Sequence, residues 1–501
     1  MTAAVRVHAF AALCLTLGLL AVTVPAGALP LLPADVPTEV PWLIKSDNVA
    51  WHGNVPVDYA GVGGRVVHHE NGGTYFYLNG GRGVTVYDIA DPLTPIPVGV
   101  LEFASSQGEN FVVSEDGTRG VLAADGFLPF LPNYATTGVH VIDFSDPTDP
   151  NLIATTNNLV AGRGTGLGTS EHTVMCPDVE CMYAYGSSTG NIYDLTNADD
   201  GVITVLEKKW NVGLNGTAVG GRHALNRDAS GLVIADSKPR VVLAVSPDWH
   251  PNASPANPIP LAQGAAAERD AGNVSHNNMR TLADQWAARD AGDPADAIVT
   301  QTVATIDDRS TSLVDDRPVM RPGELMIGTS ESNINPRCSG SNGGLSTWSI
   351  ANFDQGQDVQ QLEYFAPFNG TYVDNGAPAA QWAGCSAHWF DVTDDLYVAA
   401  AWYEHGTRFF KVGAETGTIE EVGYFQSVNG ISASSYWVTD DIVYTVDGVR
   451  GLDILVFDRD AEARPSTADL ANSWIVTSGA AGETFELAQQ WRTYCRLAVT
   501  D

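Results

Sequence analysis

The 501-residue sequence has few positively charged residues. Lys and Arg number 26 against 59 Asp and Glu, so the formal net charge is −33. The phosphates of nucleic acids and the surfaces of anionic membranes would repel such a chain. We therefore exclude a nucleic-acid-binding protein, and we interpret the acidic composition as a source of solubility in a crowded or salty exterior.

Long apolar runs are missing beyond the N-terminus, so no transmembrane segment is expected in the mature chain. The N-terminus itself is typical of an export signal, with Arg6, an apolar run over residues 9–24 and the small residues Ala26 and Ala28 at a cleavage site. We predict that residues 1–28 are a signal peptide and that the protein is secreted. An uncut signal anchor is the alternative, disfavoured by the short run and by Pro25.

Cysteine is scarce, with six in the chain and one of them inside the predicted signal peptide. Export would place the others in an oxidising space. Cys176 and Cys181, in CPDVEC, would flank a hairpin turn, and a disulfide is the simplest expectation. A zinc site is disfavoured because no second Cys or His pair stands at finger spacing. Cys338 and Cys385 are the natural second pair, and Cys495 is left free or intermolecular.

Two common catalytic signatures are also missing. No GxSxG nucleophile elbow is present. The glycines of AGRGTGLGTS, residues 161–170, are not followed by a helical pattern and do not match a dinucleotide fingerprint. The sequence therefore gives no support for a serine hydrolase or a nucleotide-dependent enzyme.

What the sequence does contain is a repeat. Residues 83–103 read GVTVYDIADPLTPIPVGVLEF, and residues 138–157 read GVHVIDFSDPTDPNLIATTN. The alternation in GVTVYDI predicts a strand with one buried face, and Asp91-Pro92 ends it because proline lacks the N–H that a sheet needs. Asp146-Pro147 occupies the same place in the second copy. Repeats of this length must stack or close on themselves to bury their apolar surface.

Weaker copies of this unit continue along the chain, each with four short strand patterns. Units of about forty to fifty strand-rich residues are the signature of a β-propeller. We predict an all-β, seven-bladed propeller of four-stranded antiparallel blades over residues 61–460. Segment 29–60 is expected to supply a ring-closing strand, blade five a helical insertion within 280–322, and residues 461–501 a short C-terminal extension. Unit four is faint, so six or eight blades stay open.

The pattern Gly-x-x-x-x-Asp-x-x-Asp-Pro at Gly83–Pro92 and Gly138–Pro147 resembles the LVIVD repeat of secreted bacterial and archaeal propellers. The resemblance implies a propeller fold and export. It assigns no general activity and no catalytic residues.

Histidines recur at the start of the first strand in units three to six. They stand in SEHTV, GRHAL, SHNNM and SAHWF, and are His172, His223, His276 and His388. In a propeller these positions converge on one mouth of the central channel, and His405 and Glu171 would lie on the same face. Neutral imidazoles gathered in this way suit zinc, copper or iron. Each histidine could equally bind a backbone carbonyl at the channel wall.

Two function hypotheses follow. The first is an extracellular binding scaffold whose unidentified ligand or protein partner contacts the mouth of the channel at which the histidines converge. The alternative is a metal-dependent enzyme with His172, His223, His276 and His388 as metal ligands, His405 as a weaker candidate, and Glu171 as a candidate base.

Overall fold

The structure is a computed structural model that describes residues 43–103, 111–124, 137–156, 171–214, 216, 225–227, 232–235, 241–263, 277–281, 313–314, 317–318, 325–330, 344–349, 360–365, 387–393, 395–403, 405–427 and 430–461. The chain divides into two compact units, Met1–Val40, which lies outside the described residues, and Pro41–Asp501. The predicted signal peptide, the helical segment LADQWAARDAG and nearly all of the predicted C-terminal extension also lie outside them.

Within these ranges the strands form seven antiparallel sheets of four or five strands, which follow one another along the chain. Two strands come before the first sheet: β1 (Leu43–Lys45) and β2 (Val49–Val55). Sheet 1 contains β3 (Gly61–His68), β4 (Thr74–Gly80), β5 (Gly83–Asp88) and β6 (Ile96–Glu102). Sheet 2 contains β7 (Phe111–Val113), β8 (Arg119–Ala124), β9 (Gly138–Asp143) and β10 (Asn151–Thr155).

The middle of the chain continues the series. Sheet 3 contains β11 (Val174–Met175), β12 (Tyr183–Gly186), β13 (Asn191–Asp194) and β14 (Thr204–Lys209). Sheet 4 contains β15 (Leu225–Arg227), β16 (Leu232–Ala235), β17 (Val241–Ala244) and β18 (Ile259–Gln263). Sheet 5 begins with β19 (Asn277–Thr281), and a separate hairpin, β20 (Leu313–Val314) and β21 (Arg317–Pro318), follows in the chain. Sheet 5 resumes with β22 (Leu325–Ser330), β23 (Leu345–Ser349) and β24 (Gln360–Phe365).

The last two sheets also take in the N-terminal strands. Sheet 6 contains β25 (Phe390–Val392), β26 (Tyr397–Ala401), β27 (Thr407–Val412) and β28 (Ile419–Ser427), and β1 pairs with β28 as a fifth strand. Sheet 7 contains β29 (Ser432–Trp437), β30 (Ile442–Asp447) and β31 (Gly451–Phe457). Its fourth strand is β2, which pairs with β31 from Val49 opposite Phe457 to Val55 opposite Leu452.

The prediction of an all-β fold with four-stranded antiparallel sheets is confirmed. The regions that the structure describes contain no α-helix, only a single 3₁₀ turn at Ala198–Asp200. In those regions, accordingly, no helix has the length and apolar character to span a membrane.

Successive sheets lie side by side, most of them meeting through their first strands. β3 contacts β7, β7 contacts β11, β11 contacts β15, β15 contacts β19 and β25 contacts β29, while sheets 5 and 6 meet through β24 and β28. β29 in turn contacts β3, so the last sheet lies beside the first. Sheets joined side by side in chain order, with the series returning to its start, have the arrangement of a β-propeller.

The apolar core lies between neighbouring sheets. Tyr77 of sheet 1 stacks on Phe144 at the end of β9, with ring centroids 4.4 Å apart. On the other side of sheet 1, the Phe76 ring meets Tyr444 of sheet 7 edge-on at 5.2 Å. The prediction of a one-faced strand at GVTVYDI is wrong for this reason: β5 is buried along both faces because a neighbouring sheet packs on each side.

The aspartates of the repeat build two consecutive turns. Asp88 Oδ1 accepts the backbone N–H of Ala90 (2.8 Å), and Asp91 Oδ1 accepts that of Leu93 (3.1 Å). Asp143 and Asp146 do the same in sheet 2, at 2.9 Å in each case. A side-chain oxygen that binds the N–H two residues on is the geometry of an Asx turn. These acids therefore shape the connection between third and fourth strands.

The first glycine of the repeat is required by both its backbone and its neighbours. Gly83 has φ +115°, a conformation that side chains disfavour. A Cβ built on it would stand 2.0 Å from the carbonyl oxygen of Leu101 in β6. Only glycine lets the third strand begin so close to the fourth.

Candidate binding face

At one end of each sheet, the start of the first strand lies beside the turn between the second and third strands. In sheet 3, the N–H of Ser187 donates to the carbonyl of Thr173 (3.1 Å). In sheet 6, the N–H of His388 donates to the carbonyl of Ala401 (2.8 Å). We call this end of the sheets the histidine-bearing face. It carries three buried histidines from the predicted metal ligands, His172, His388 and His405.

The other two predicted ligands, His223 and His276, lie outside the described residues. Where the structure describes the chain, no three His, Cys, Asp or Glu side chains are grouped so that they could hold a metal ion. The metal site formed by four histidines therefore stays a prediction.

Glu171, the predicted base, is fully buried in sheet 3. Its Oε1 accepts the hydroxyls of Tyr193 (2.6 Å) and Thr189, and its Oε2 accepts the N–H groups of Ser188 (2.8 Å) and Thr189 (3.2 Å). Burial raises the pKa of Glu171, although the hydrogen bonds from Thr189 and Tyr193 lower it in part. These bonds fasten the β12–β13 turn to the residue that leads into the first strand.

His388 joins sheet 6 to sheet 7. Its Nδ1 donates to the carbonyl oxygen of Ala433 in β29, at 2.5 Å. Its ring stacks on Tyr403, with centroids 4.8 Å apart and planes inclined by 28°, and it meets Trp389 edge-on at 6.0 Å. The imidazole is therefore fixed by a backbone bond and by two aromatic rings.

Tyr403 has an unusual backbone. Its φ is +43°, in the left-handed region that residues other than glycine rarely adopt. Such a conformation costs roughly 1–3 kcal/mol. Two hydrogen bonds with Ser432 hold it: Tyr403 donates its N–H to Ser432 at 2.9 Å and accepts the Ser432 N–H at 2.8 Å. The half-buried ring is thus held between sheets 6 and 7, over His388.

Asp447 is a second buried acid on this face, at the end of β30. Its Oδ1 accepts the N–H groups of Val449 and Arg450, both at 2.9 Å. Its Oδ2 packs so closely on the preceding connection that a Cβ at Gly430 would stand 2.2 Å away. Burial, together with the charge of Asp453, raises the pKa of Asp447 to about 6.

The carboxylate of Asp453, in β31, accepts hydrogen bonds from β2, the N-terminal strand that completes sheet 7. Its Oδ1 accepts Trp51 Nε1 (3.0 Å) and Asn54 Nδ2 (3.0 Å) of β2. Arg450 donates Nη2 to Oδ1 (2.8 Å) and Nε to Oδ2 (3.2 Å). The side-chain hydrogen bonds of Arg450 thus go to Asp453, and among the described residues no cationic side chain is hydrogen-bonded to Asp447.

Sequence reasoning missed Tyr403 and Asp447. Both stand in short glycine-containing turns between second and third strands, YEHG and VDG. That position on the histidine-bearing face is the one sign that could have pointed to them.

The predicted disulfide between Cys176 and Cys181 is present, and it spans the turn between β11 and β12. Both sulfur-bearing residues are buried, at 8% and 1% exposure. Cys338, Cys385 and Cys495 lie outside the described residues, so the second pairing stays a prediction.

No protein-family model matches the chain, and no curated protein matches its sequence. Among solved structures, the chain is similar to the periplasmic gluconolactonase PpgL of Pseudomonas aeruginosa, at 11% identity over 85% of this chain and 95% of that one, with a TM-score of 0.47. It is also similar to the Cps50 (Swd1) β-propeller domain of Myceliophteria thermophila, at 11% identity over 82% of this chain and 100% of that one, with a TM-score of 0.46. At this level the likeness carries no argument about function.

Proposed function

We propose that the chain is a secreted, seven-bladed β-propeller of the LVIVD-repeat kind that acts as an extracellular binding scaffold. Its ligand or protein partner meets the histidine-bearing face. Seven successive sheets among the described residues, with the last beside the first, support the blade count. The Cys176–Cys181 disulfide supports export, because such bonds persist in oxidising compartments.

One observation favours a scaffold over an enzyme: the candidate base is already in use as a structural group. Glu171 has no exposed surface and accepts four hydrogen bonds from its own sheet. A general base must reach the proton that it removes. The carboxylate of Glu171 instead holds a turn.

A partner on this face would meet the side chains that protrude from it. Val449, in the turn that follows Asp447, is 51% exposed. Tyr403, which is half-buried, lies on the same face at the junction of sheets 6 and 7. Tyrosine is among the residue types enriched at the energetically dominant positions of binding surfaces.

Site-specific photo-crosslinking tests the scaffold hypothesis. A photoreactive amino acid replaces Val449 on the histidine-bearing face or, as a matched control, Asp440, which is 99% exposed on the hairpin at the other end of β30. Each variant is secreted by the native host and irradiated in its culture. We expect a defined crosslinked species with the probe at position 449 only. Equal crosslinking at both positions, or none at 449, would contradict a partner on this face.

The second candidate is a metal-dependent enzyme with zinc, copper or iron on His172, His223, His276 and His388, and with His405 nearby. The burial of His172, His388 and His405 on one face favours it. Elemental analysis of the exported protein and of a His223→Ala variant separates the two functions. A stoichiometric metal that His223→Ala loses supports the enzyme. A metal-free wild type with an unchanged thermal midpoint in the variant supports the scaffold.

A further inference from the structure

The histidine-bearing face is held together at the junction of sheets 6 and 7 by a continuous set of contacts. Asp447 binds its own turn, and the next residue, Gly448, donates its N–H to Ile431 at 2.8 Å. The neighbouring Ser432 exchanges two backbone hydrogen bonds with Tyr403. Tyr403 in turn stacks on His388. A change at Asp447 therefore reaches the histidine through direct neighbours.

We propose that the carboxyl group of Asp447 makes the junction of sheets 6 and 7 sensitive to pH. The protonated group stabilises the packed junction in acid, and the ionised group destabilises it near neutrality. Loosening would make the Tyr403 and His388 rings more accessible from solvent. The inference concerns the fold, and it does not depend on which ligand the face binds.

The surroundings of Asp447 compensate a negative charge only in part. The charged residues packed against it are Asp453 on β31, of the same sign, and Arg450 in its own turn, whose charge attracts Asp447 but whose side-chain hydrogen bonds go to Asp453. Gly430 and Ile431 on the preceding connection and Gly61 on β3 also pack here, and none of them titrates. Backbone N–H groups are the remaining donors.

The sign of the effect follows from proton linkage. Because the pKa of Asp447 is raised to about 6 from 3.8, the folded chain keeps a proton that the unfolded chain has lost. The contribution of Asp447 to stability is then greatest in acid, falls as pH rises from about 4 to about 6, and is level above. The aspartates whose pKa is lowered, Asp116 and Asp395 for example, titrate below this window and act in the opposite direction.

A second buried acid repeats the arrangement. In sheet 3, Glu171 also joins the start of a first strand to the turn between second and third strands, and burial raises its pKa as well. The two acids differ in their place in the sheet: Glu171 precedes the first strand, whereas Asp447 ends the second. In two sheets, therefore, a buried carboxyl group on the histidine-bearing face connects the start of the first strand with the turn between the second and third strands.

Urea unfolding of the full chain between pH 4.5 and pH 7.5 tests the proposal. We compare the wild type with Asp447→Asn, which keeps the turn acceptor but does not titrate. The matched control is Asp441→Asn, an exposed acid at the other end of β30. The ratio of unfolding constants, wild type over Asp447→Asn, should rise roughly 30-fold across this range. Taking the ratio cancels the contributions of all titratable groups that the two proteins share.

Hydrogen exchange supplies a readout that does not require the variant to fold. In the wild type, the amides of Gly448 and Ser432 should lose protection between pH 5 and pH 7 beyond the intrinsic increase in exchange rate. The amide of Val438, which is bonded to Ile442 on the opposite hairpin, should not. Unchanged protection at Gly448 and Ser432, or an identical pH profile for wild type and Asp447→Asn, would overturn the proposal.

Discussion

The hydroxyl of Tyr444 donates a hydrogen bond to the carbonyl oxygen of Pro92, at 2.6 Å. The bond runs from the second strand of sheet 7 to the Asp-Pro turn of sheet 1. Tyr185, in the second strand of sheet 3, makes the equivalent bond to Pro255, in the connection after the third strand of sheet 4, also at 2.6 Å. Burial raises the pKa of both tyrosines, so both stay neutral donors over the physiological range. The Asp-Pro turn thus serves as a docking point for the neighbouring sheet.

We predict that Tyr444→Phe and Tyr185→Phe each lower the free energy of unfolding by about 1 kcal/mol, because each leaves a carbonyl without its donor. Urea unfolding at neutral pH measures the change. Tyr183→Phe is the control, since Tyr183 lies half-buried on the same strand as Tyr185 and makes no hydrogen bond through its hydroxyl to another described residue. If Tyr183→Phe costs as much as the other two, the bond between sheets is not the cause.

Closure of the ring depends on Gly451, at the start of β31. A Cβ there would stand 2.4 Å from the carbonyl oxygen of Val55 in β2, and the residue has φ +102°. We expect Gly451→Ala to lower the free energy of unfolding by about 3 kcal/mol, because backbone strain and a clash with the closing strand add together.

Two glycines separate these contributions. Gly72→Ala introduces the strained backbone alone, since φ is +85° but nothing lies within 4 Å of the new Cβ. It should cost about 1 kcal/mol. Gly53→Ala, in β2 itself, meets nothing and should change stability by less than about 0.5 kcal/mol. A Gly451→Ala variant no less stable than Gly72→Ala would show that β2 moves aside freely.

The Cys176–Cys181 disulfide closes a short loop, with five residues of sequence separation. Loop-closure entropy for so few residues is worth about 2 kcal/mol in the chain-entropy account. We therefore expect the free energy of unfolding, measured with urea, to be lower by that amount in the double variant Cys176→Ala, Cys181→Ala. Wild type in reducing buffer should match the double variant. Unequal losses would mean that the alanines disturb the packing around β11 and β12.

Much of the fold could be predicted from the sequence because one unit recurs. The glycine and the two aspartates of GVTVYDIADP have local roles, a left-handed backbone and two Asx turns, that a short pattern records. The same turn chemistry extends further than the sequence comparison found. Asp194 accepts the N–H of Thr196 at 3.0 Å, and Asp458 that of Asp460 at 3.0 Å. The repeat is therefore easier to follow in its turn hydrogen bonds than in its amino-acid sequence.

The candidate site was harder to predict because its contacts join residues far apart in the chain. His388 binds Ala433, 45 positions away, and Asp447 packs against Gly430 in the preceding connection. Position in a repeat predicts that such residues share a face. It does not predict whether a side chain turns outward to a ligand or inward to a turn, as Glu171 does.

The hydrogen bonds of Glu171 give a prediction in which two substitutions differ. In Glu171→Ala, the N–H groups of Ser188 and Thr189 lose their acceptor inside the protein, and the free energy of unfolding should fall by about 3 kcal/mol. In Glu171→Gln, the amide oxygen can accept those N–H groups while its NH₂ donates to the hydroxyls of Thr189 and Tyr193, which rotate to become acceptors. This variant should lose no more than about 1 kcal/mol.

The pH dependence of stability separates the effect of the titrating carboxyl group from the effect of its hydrogen-bonding geometry, which Gln can reproduce. Because burial raises the pKa of Glu171, the folded wild type holds a proton that the unfolded chain releases, and its stability falls as pH rises through that pKa. Glu171→Gln cannot titrate, so it should approach or exceed wild-type stability at neutral pH and lose relative to it in acid. Glu180→Gln, at an exposed residue in the hairpin of the same sheet, should keep the wild-type profile. If Glu171→Gln is as unstable as Glu171→Ala at every pH, then the four-bond arrangement requires the ionised carboxylate, and Glu171 contributes to stability as a charge.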